Sequence, residues 1–129
     1  MRFVGRLTHG NNVKIMSESS LFVMPSRAEG LALVYIEALC MGLPIIGYPP
    51  NVRELSEKLD IKVGFPFDAL TNSHLQLASL IKQAMSNESG FDVAHRREML
   101  RRARECFSIE RFHTEYMRLY EEVMASAEG

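Results

Sequence analysis

Two short apolar runs on either side of one helix-length segment constrain the fold of this 129-residue chain more than any other feature. The first run, LFVM at residues 21–24, is closed by Pro25, and the second run, IIGY, occupies residues 45–48. Continuous apolar runs of this length are typical of strands buried on both faces in parallel sheets. The segment between them predicts a helix over residues 30–41, which Gly42 can end as a left-handed cap. This order indicates a βαβ unit.

The flanking segments extend this unit to an α/β layered domain with about four strands. RFVG at residues 2–5 and IKVGF at residues 61–65 predict the two further strands. Helices are predicted at NVKIMSES with Asn12 as N-cap, at RELSEKL, from Ser73 through HLQLASLIKQAM, at residues 93–106 and at residues 109–125. We therefore expect one α/β domain over residues 1–129, with a small, mostly parallel sheet flanked by helices and a helical C-terminal tail.

Composition and charge narrow the classes of function. The formal charge is −1, so the overall balance does not favour nucleic acid as a partner. No segment approaches the roughly 18 apolar residues of a transmembrane helix, and the N-terminus lacks the apolar region of a signal peptide. Cys40 and Cys106 show neither CxxC nor zinc-like spacing, which favours reduced thiols over a disulfide. We expect a soluble cytoplasmic protein, and peripheral contact with the cytosolic face of a membrane stays open.

One basic segment could contact RNA or anionic lipid. HRREMLRRARECF contains five arginines, which are Arg96, Arg97, Arg101, Arg102 and Arg104. Glu98 and Glu105 are interspersed among them, and no aromatic stacking platform or net positive charge accompanies them. We therefore favour a solvated helix face and expect no nucleic-acid partner.

Two carboxylates mark the βαβ unit. Glu37 lies in an otherwise apolar run, and because a buried, unpaired carboxylate is costly, it must reach water, a protein partner or a ligand. Glu29 follows the end of the first strand of the unit, where α/β sheets bind ligands. The backbone N–H groups of Gly30, Leu31 and Ala32 could receive a phosphate there.

The spacing of the two acids suits a ligand with two polyols. Glu37 is about 12 Å from Glu29 along a helix axis, so the two could grip two sugars joined by a pyrophosphate. The alternative is that Glu29 is only an acid favourably placed at a helix N-terminus and that Glu37 points to solvent. Arg27 could assist a phosphate, pair with Glu29 or stay solvated, while Tyr35 and Tyr48 could stack on a base or pack in the core.

The ordered set of motifs resembles the retaining, nucleotide-sugar-dependent glycosyltransferases of family 4, which have the GT-B fold. Glu29 and Glu37 form a Glu-x7-Glu motif inside PSRAEGLALVYIEALCMGLPII, which is similar to that family's pattern. RFVG resembles the family's Phe-x-Gly strand, NVREL its loop carrying Glu54, and CFSIERFHTEYMRLYEEV its closing helix. The likeness extends over nearly the whole chain.

The resemblance implies a role for each matching residue. Glu37 would bind the ribose hydroxyls of the nucleotide, Glu29 would contact the transferred hexose, and the N–H groups of Gly30, Leu31 and Ala32 would hold the pyrophosphate. UDP, GDP and ADP are not distinguished, and the acceptor is a glycan, a lipid or another molecule. Such enzymes generally need no metal, and the sequence offers no convincing ligand cluster among its histidines, His9, His74, His95 and His113.

The likeness is confined to the later part of the C-terminal, donor-binding domain of those enzymes, and it therefore implies a partial Rossmann-like domain. The acceptor half and a basic residue that neutralises the leaving diphosphate have no counterpart, so we expect donor binding without catalysis by this chain alone. A non-catalytic interaction module is the alternative. If the strands follow the doubly wound order 3-2-1-4-5-6, RFVG is strand 3 and LFVM is strand 4. The two strands that lie between them in that order have no counterpart, which leaves a gap in the sheet. We expect the first strand to move beside the second, or exposed sheet edges to pair in a homodimer or with a partner chain that supplies the acceptor half.

Overall fold

A computed structural model describes residues 3–127, which form six helices and three strands. In chain order these are α1 (His9–Ser17), β1 (Phe22–Met24), α2 (Leu33–Leu39), β2 (Ile45–Gly47), α3 (Pro49–Leu59), β3 (Gly64–Pro66), α4 (His74–Ala84), α5 (Val93–Cys106) and α6 (Ile109–Ala127). The α/β class and the helical C-terminal tail are confirmed.

The three strands form one parallel sheet in the order β1-β2-β3. Phe22 pairs with Ile45, and Ile45 pairs in turn with Gly64, so β2 is the central strand. Every residue of β2 is buried, as a strand covered on both faces requires. The βαβ unit of β1, α2 and β2 is confirmed.

The predicted first strand is wrong for the residues that the structure describes. Residues 3–5 are not a strand, and Arg2 lies outside the described residues. A strand gains its hydrogen bonds from a neighbour, and Gly5, with φ 65°, interrupts the extended backbone. The first strand therefore does not move beside β1. Instead, Ile15 and Met16 of α1 share a cavity wall with Phe22 of β1.

Arginines of helix α5 donate hydrogen bonds to the C-terminal ends of α2 and α3. Arg104 Nε donates to the Cys40 carbonyl at the end of α2, over 2.9 Å. Arg102 Nη1 donates to the Leu59 carbonyl at the end of α3, over 3.0 Å. Carbonyls at helix ends lack intrahelical partners, so these guanidinium groups satisfy them. The interpretation of this face as merely solvated is wrong for Arg102 and Arg104.

Ion pairs join the two glutamates of α5 to two of its five arginines. Arg101 contacts both Glu98 and Glu105 at 2.8 Å, and Arg102 contacts Glu98 at 2.7 Å. Hydrogen bonds from Arg101 and then Arg102 lower the pKa of Glu98 to about 2. The glutamates that the sequence places among the arginines thus pair with them.

Local sequence signals set the helix ends with mixed success. The predicted bounds of α5 are confirmed, and the Asp92 side chain accepts from the His95 N–H at 2.7 Å. The predicted cap of α1 is wrong, because Thr8 rather than Asn12 caps it. Helix α3 begins at Pro49, before the predicted RELSEKL, because prolines fit a first turn whose N–H groups have no partners.

Helix α6 stands apart from the core. The side chains of residues 109–126 are exposed, including Phe112 and Tyr116, whose rings stack with centroids 5.8 Å apart. Among residues 3–127, no helix is both long enough and apolar enough to span a bilayer.

Candidate functional site

Tyr35 joins the carboxyl ends of β1 and β2, where the sequence predicts the site. Its hydroxyl donates to the Met24 carbonyl at 3.1 Å and accepts from the Tyr48 N–H at 3.0 Å. A Cβ on Gly47 would overlap this hydroxyl, so the glycine at the end of β2 admits the ring. Tyr35 is fully buried, and the hypothesis that it stacks on a base is therefore wrong.

The loop of residues 25–32 leads from β1 into α2. The Ser26 N–H donates back to the Met24 carbonyl at 2.9 Å, which turns the chain out of the sheet. Arg27 and Glu29 are both exposed. Their charges form no ion pair within residues 3–127, so the proposed Arg27–Glu29 pair is wrong.

The helix after this loop starts later than the sequence predicts. Helix α2 begins at Leu33, and Ala32 is its extended N-cap residue. Before this start, the Gly30 carbonyl accepts from Asn51 Nδ2 of α3 at 2.8 Å. Gly30, Leu31 and Ala32 therefore precede the helix. Their N–H groups donate to no other atom of the described chain.

The end of α2 follows the predicted chemistry. Gly42 has φ 76°, and its N–H donates to the Leu39 carbonyl at 2.9 Å. The Leu43 N–H donates to the Ala38 carbonyl at 3.0 Å, which completes a Schellman motif. The predicted left-handed cap at Gly42 is confirmed, and it holds the α2 face that carries Glu37 in place.

Glu37 lines a cavity of about 350 Å³ between α1, β1 and α2. The walls are mostly apolar and include Ile15, Phe22, Val34 and Leu43. Glu37 is the ionisable residue of these walls. The Glu37 side chain is half-buried, so part of it remains accessible from the cavity.

The two acids occupy different surroundings. Glu37 lines the cavity, whereas Glu29 lies in the exposed loop and does not contribute to the cavity wall. A larger groove of about 840 Å³ follows α1 and contains neither acid. The grip of both acids on one ligand stays a prediction.

Two pKa shifts report the charges near these elements. Burial raises the pKa of Tyr35, the hydrogen bond from Tyr48 partly opposes this, and the Glu29 carboxylate adds to the rise. Burial also raises the pKa of Cys40, with Arg104 opposing it and Cys106 and Glu37 adding to it. Both cysteines are free thiols. Glu29 is thus within electrostatic range of the strand-end hydroxyl, and Glu37 within range of the end of α2.

The histidines take no part in this region. His95 Nε2 is 2.7 Å from the Lys62 carbonyl, and His9, His74 and His113 are exposed. Within residues 3–127, no three His, Cys, Asp or Glu side chains gather as metal ligands. The expectation of a metal-independent reaction stays a prediction.

Asn51 is the residue of this region that sequence reasoning misses. It lies in the first turn of α3 after two prolines, is only 3% exposed, and ties α3 to the loop after β1. Its Oδ1 atom is buried and has no hydrogen-bond partner. The only local signal is a polar side chain in PPNV before an amphipathic helix, which does not identify its partner 21 residues away.

Comparisons with known proteins agree with the motif pattern. The family described as "Glycosyl transferases group 1" matches residues 1–105. A protein of Haemophilus influenzae named "Uncharacterized glycosyltransferase" is 46% identical over 50 residues, which are 36% of this chain and 14% of that protein. The alignment thus spans a small part of that relative. No solved structure matches the chain.

Proposed function

The chain belongs to the group 1 glycosyl transferases, and we propose that it is the donor-binding part of an enzyme that transfers a hexose from a nucleotide sugar. The observation that carries the proposal is the open loop at the carboxyl end of β1. It presents three free N–H groups, of Gly30, Leu31 and Ala32, beside the exposed Glu29. Oriented backbone N–H groups at a strand end suit phosphate oxygens.

The cavity beside α2 is the proposed nucleoside pocket. Glu37 offers a carboxylate that can accept hydrogen bonds from both ribose hydroxyls, and the apolar walls can cover the nucleoside. Glu29, in the loop, then accepts from the hydroxyls of the transferred sugar. The diphosphate lies between them, against the loop N–H groups.

The proposed reaction retains the configuration of the transferred sugar and requires no metal, as in the GT-B enzymes that the motifs resemble. The departing diphosphate carries negative charge that must be stabilised while the acceptor is held in line. Arg27 is the exposed cation of the loop and can contribute part of that stabilisation. We propose that these 129 residues bind the donor and need an acceptor-binding half for transfer, in the cytoplasm where free thiols persist.

Calorimetric titration tests donor binding directly. The purified chain is titrated with UDP, GDP and ADP and with UDP-glucose, GDP-mannose and ADP-glucose. We expect at least one nucleotide to bind and Glu37→Ala to weaken it about tenfold, because a hydrogen bond to a charged group contributes about 1.5–3 kcal/mol.

The matched control is Glu57→Ala, which removes an exposed acid from α3, away from the cavity. It should bind as the wild type does. Absence of heat with all six compounds would contradict the proposal, and sugar transfer by the isolated chain would contradict the need for an acceptor half.

A second candidate is a non-catalytic interaction module. Helix α6 favours it, because Phe112, Tyr116, Tyr120 and Val123 expose more than half of their surface on one face of a helix beyond the family match. An amphipathic helix of this kind normally packs on a partner. This candidate predicts partner binding that is unaffected by Glu37→Ala, whereas the donor-binding function predicts the loss above.

A further inference from the structure

We infer that Asn51 is a positioning residue of the proposed donor site: by holding the Gly30 carbonyl, it aims the Leu31 N–H at the diphosphate. The inference rests on the proposed function and adds to it a residue from a separate helix. Asn51 belongs to α3, whereas Gly30 and Leu31 belong to the loop after β1. The contact therefore depends on tertiary structure alone.

The peptide bond between Gly30 and Leu31 links the direction of the Leu31 N–H to that of the Gly30 carbonyl. In a trans peptide, the carbonyl of one residue and the N–H of the next point in opposite directions, and the described chain has no cis peptide bond. Asn51 Nδ2, which is buried, approaches the Gly30 carbonyl at 2.8 Å from the protein side. The Leu31 N–H on the same peptide must therefore point away from the protein, and it donates to no described atom.

The space in front of this peptide is open. Gly30 has no left-handed φ, and a Cβ built on it would meet no atom within 4 Å. Neither backbone conformation nor packing within the chain therefore requires glycine at this position. A ligand that approaches the Leu31 N–H closely would require it.

Only one side of the Asn51 amide forms a hydrogen bond in the described chain. Buried polar side chains normally have their hydrogen bonds satisfied, and an unsatisfied one calls for an explanation. Asn51 Oδ1 is buried without a partner, so half of the amide contributes nothing to the described fold. The half that is used fixes one loop peptide.

The start of α3 explains why a side chain performs this task. Its first two residues are Pro49 and Pro50, which have no N–H groups to offer to a neighbouring carbonyl. The amide of Asn51 is the donor that α3 extends to the loop instead. A residue without a side-chain N–H at this position would release the Gly30 peptide.

The test compares wild type with Asn51→Leu, which keeps the branched shape and the number of non-hydrogen side-chain atoms and removes the amide N–H and C=O groups. Affinities for UDP, GDP and ADP are measured by calorimetry, and the Leu31 amide is followed by ¹⁵N–¹H correlation spectra. We expect the best-bound diphosphate to shift the Leu31 amide in wild type. In Asn51→Leu we expect affinity to fall about tenfold and that shift to disappear, because the N–H is no longer aimed at the phosphate.

The matched control is Ser56→Ala on the same helix, where the lost hydroxyl donates to the Val52 carbonyl at 2.8 Å within the fold. It should leave affinity and the Leu31 shift unchanged. A folded Asn51→Leu that binds as tightly as wild type and keeps the Leu31 shift would overturn the inference while the proposed function stands. Failure of wild type to bind any of the three diphosphates would overturn both.

A measurement on wild type covers the case in which Asn51→Leu does not fold. Hydrogen exchange at the Leu31 amide should be fast in the free chain and slower with the bound diphosphate. Equal exchange rates in the two states, with binding confirmed by calorimetry, would overturn the inference alone.

Discussion

Helix α5 and the loop of residues 25–32 both carry mixed charges, yet they use them in opposite ways. On α5, Arg101 and Arg102 pair with Glu98, and Arg102 also holds the end of α3. In the loop, Arg27 and Glu29 are exposed and form no ion pair within the described residues. The paired charges serve the fold, and the loop charges stay available for a ligand. Stability and binding should therefore respond to different substitutions.

Stability should fall most when a buried side chain of α5 is truncated. Met99 is fully buried on α5, so Met99→Ala should lower the free energy of unfolding by about 2–5 kcal/mol, through lost contacts and a residual cavity. Urea denaturation measures the change. Met124→Ala on the exposed α6 is the matched control and should change stability by less than about 0.5 kcal/mol. Equal losses in the two variants would contradict the assignment of the core.

Two glycine substitutions should separate an effect on stability from an effect on nucleotide binding. Gly42 has φ 76°, and a Cβ there would lie 3.3 Å from the Arg96 carbonyl, so Gly42→Ala should cost about 1–2 kcal/mol of stability. Gly30→Ala should leave stability unchanged or raise it by up to about 1 kcal/mol, yet weaken nucleotide binding. Thermal unfolding and calorimetry measure both variants. Loss of stability in Gly30→Ala, with binding intact, would reverse the expected roles.

Acidification should change stability less, through the protonation of Glu98. Arg101 and Arg102 hold the pKa of Glu98 at about 2, below its ordinary 4.5. A carboxylate with a lowered pKa stabilises the fold above its unfolded pKa, and this contribution is lost as pH falls from about 4.5 to about 2. The melting temperature of Glu98→Gln should therefore lie below that of wild type at pH 7 and approach it near pH 2.

Glu29→Gln is the loop control for that experiment, because it removes a carboxylate without removing an ion pair. It should match the wild-type melting temperature at pH 7. A pH-independent difference between wild type and Glu98→Gln would show that the ion pairs of α5 do not contribute to stability.

Features with a local cause are predictable from the sequence. The start of α5 follows from its Asp92 cap, and the end of α2 follows from Gly42, because each bond joins residues close in the chain. The contact of Asn51 with the loop before α2 was not predictable, since it joins residues 21 apart in the chain. The prediction of the first strand was wrong for a related reason. A strand needs a neighbouring strand, which residues 3–5 do not have in the described chain.

The candidate site divides in the same way. Glu29 and Glu37 were found from their spacing, but their surroundings were not: one lies in an open loop and the other lines a cavity with α1. Tyr35 could not be recognised as the joint between β1 and β2, because its two partners lie 11 and 13 residues away.

The βαβ order and the parallel pairing that it implies could be read from the sequence, as could the resemblance to the glycosyl transferase family that matches residues 1–105. Periodicity and capping are short-range properties, so the chain encodes them locally. The direction of the Leu31 N–H follows from tertiary structure alone, because Asn51 reaches Gly30 from another helix; the tertiary structure fixes what distant residues do. It also decided which charges stay free, since ion pairing depends on what the fold brings within reach.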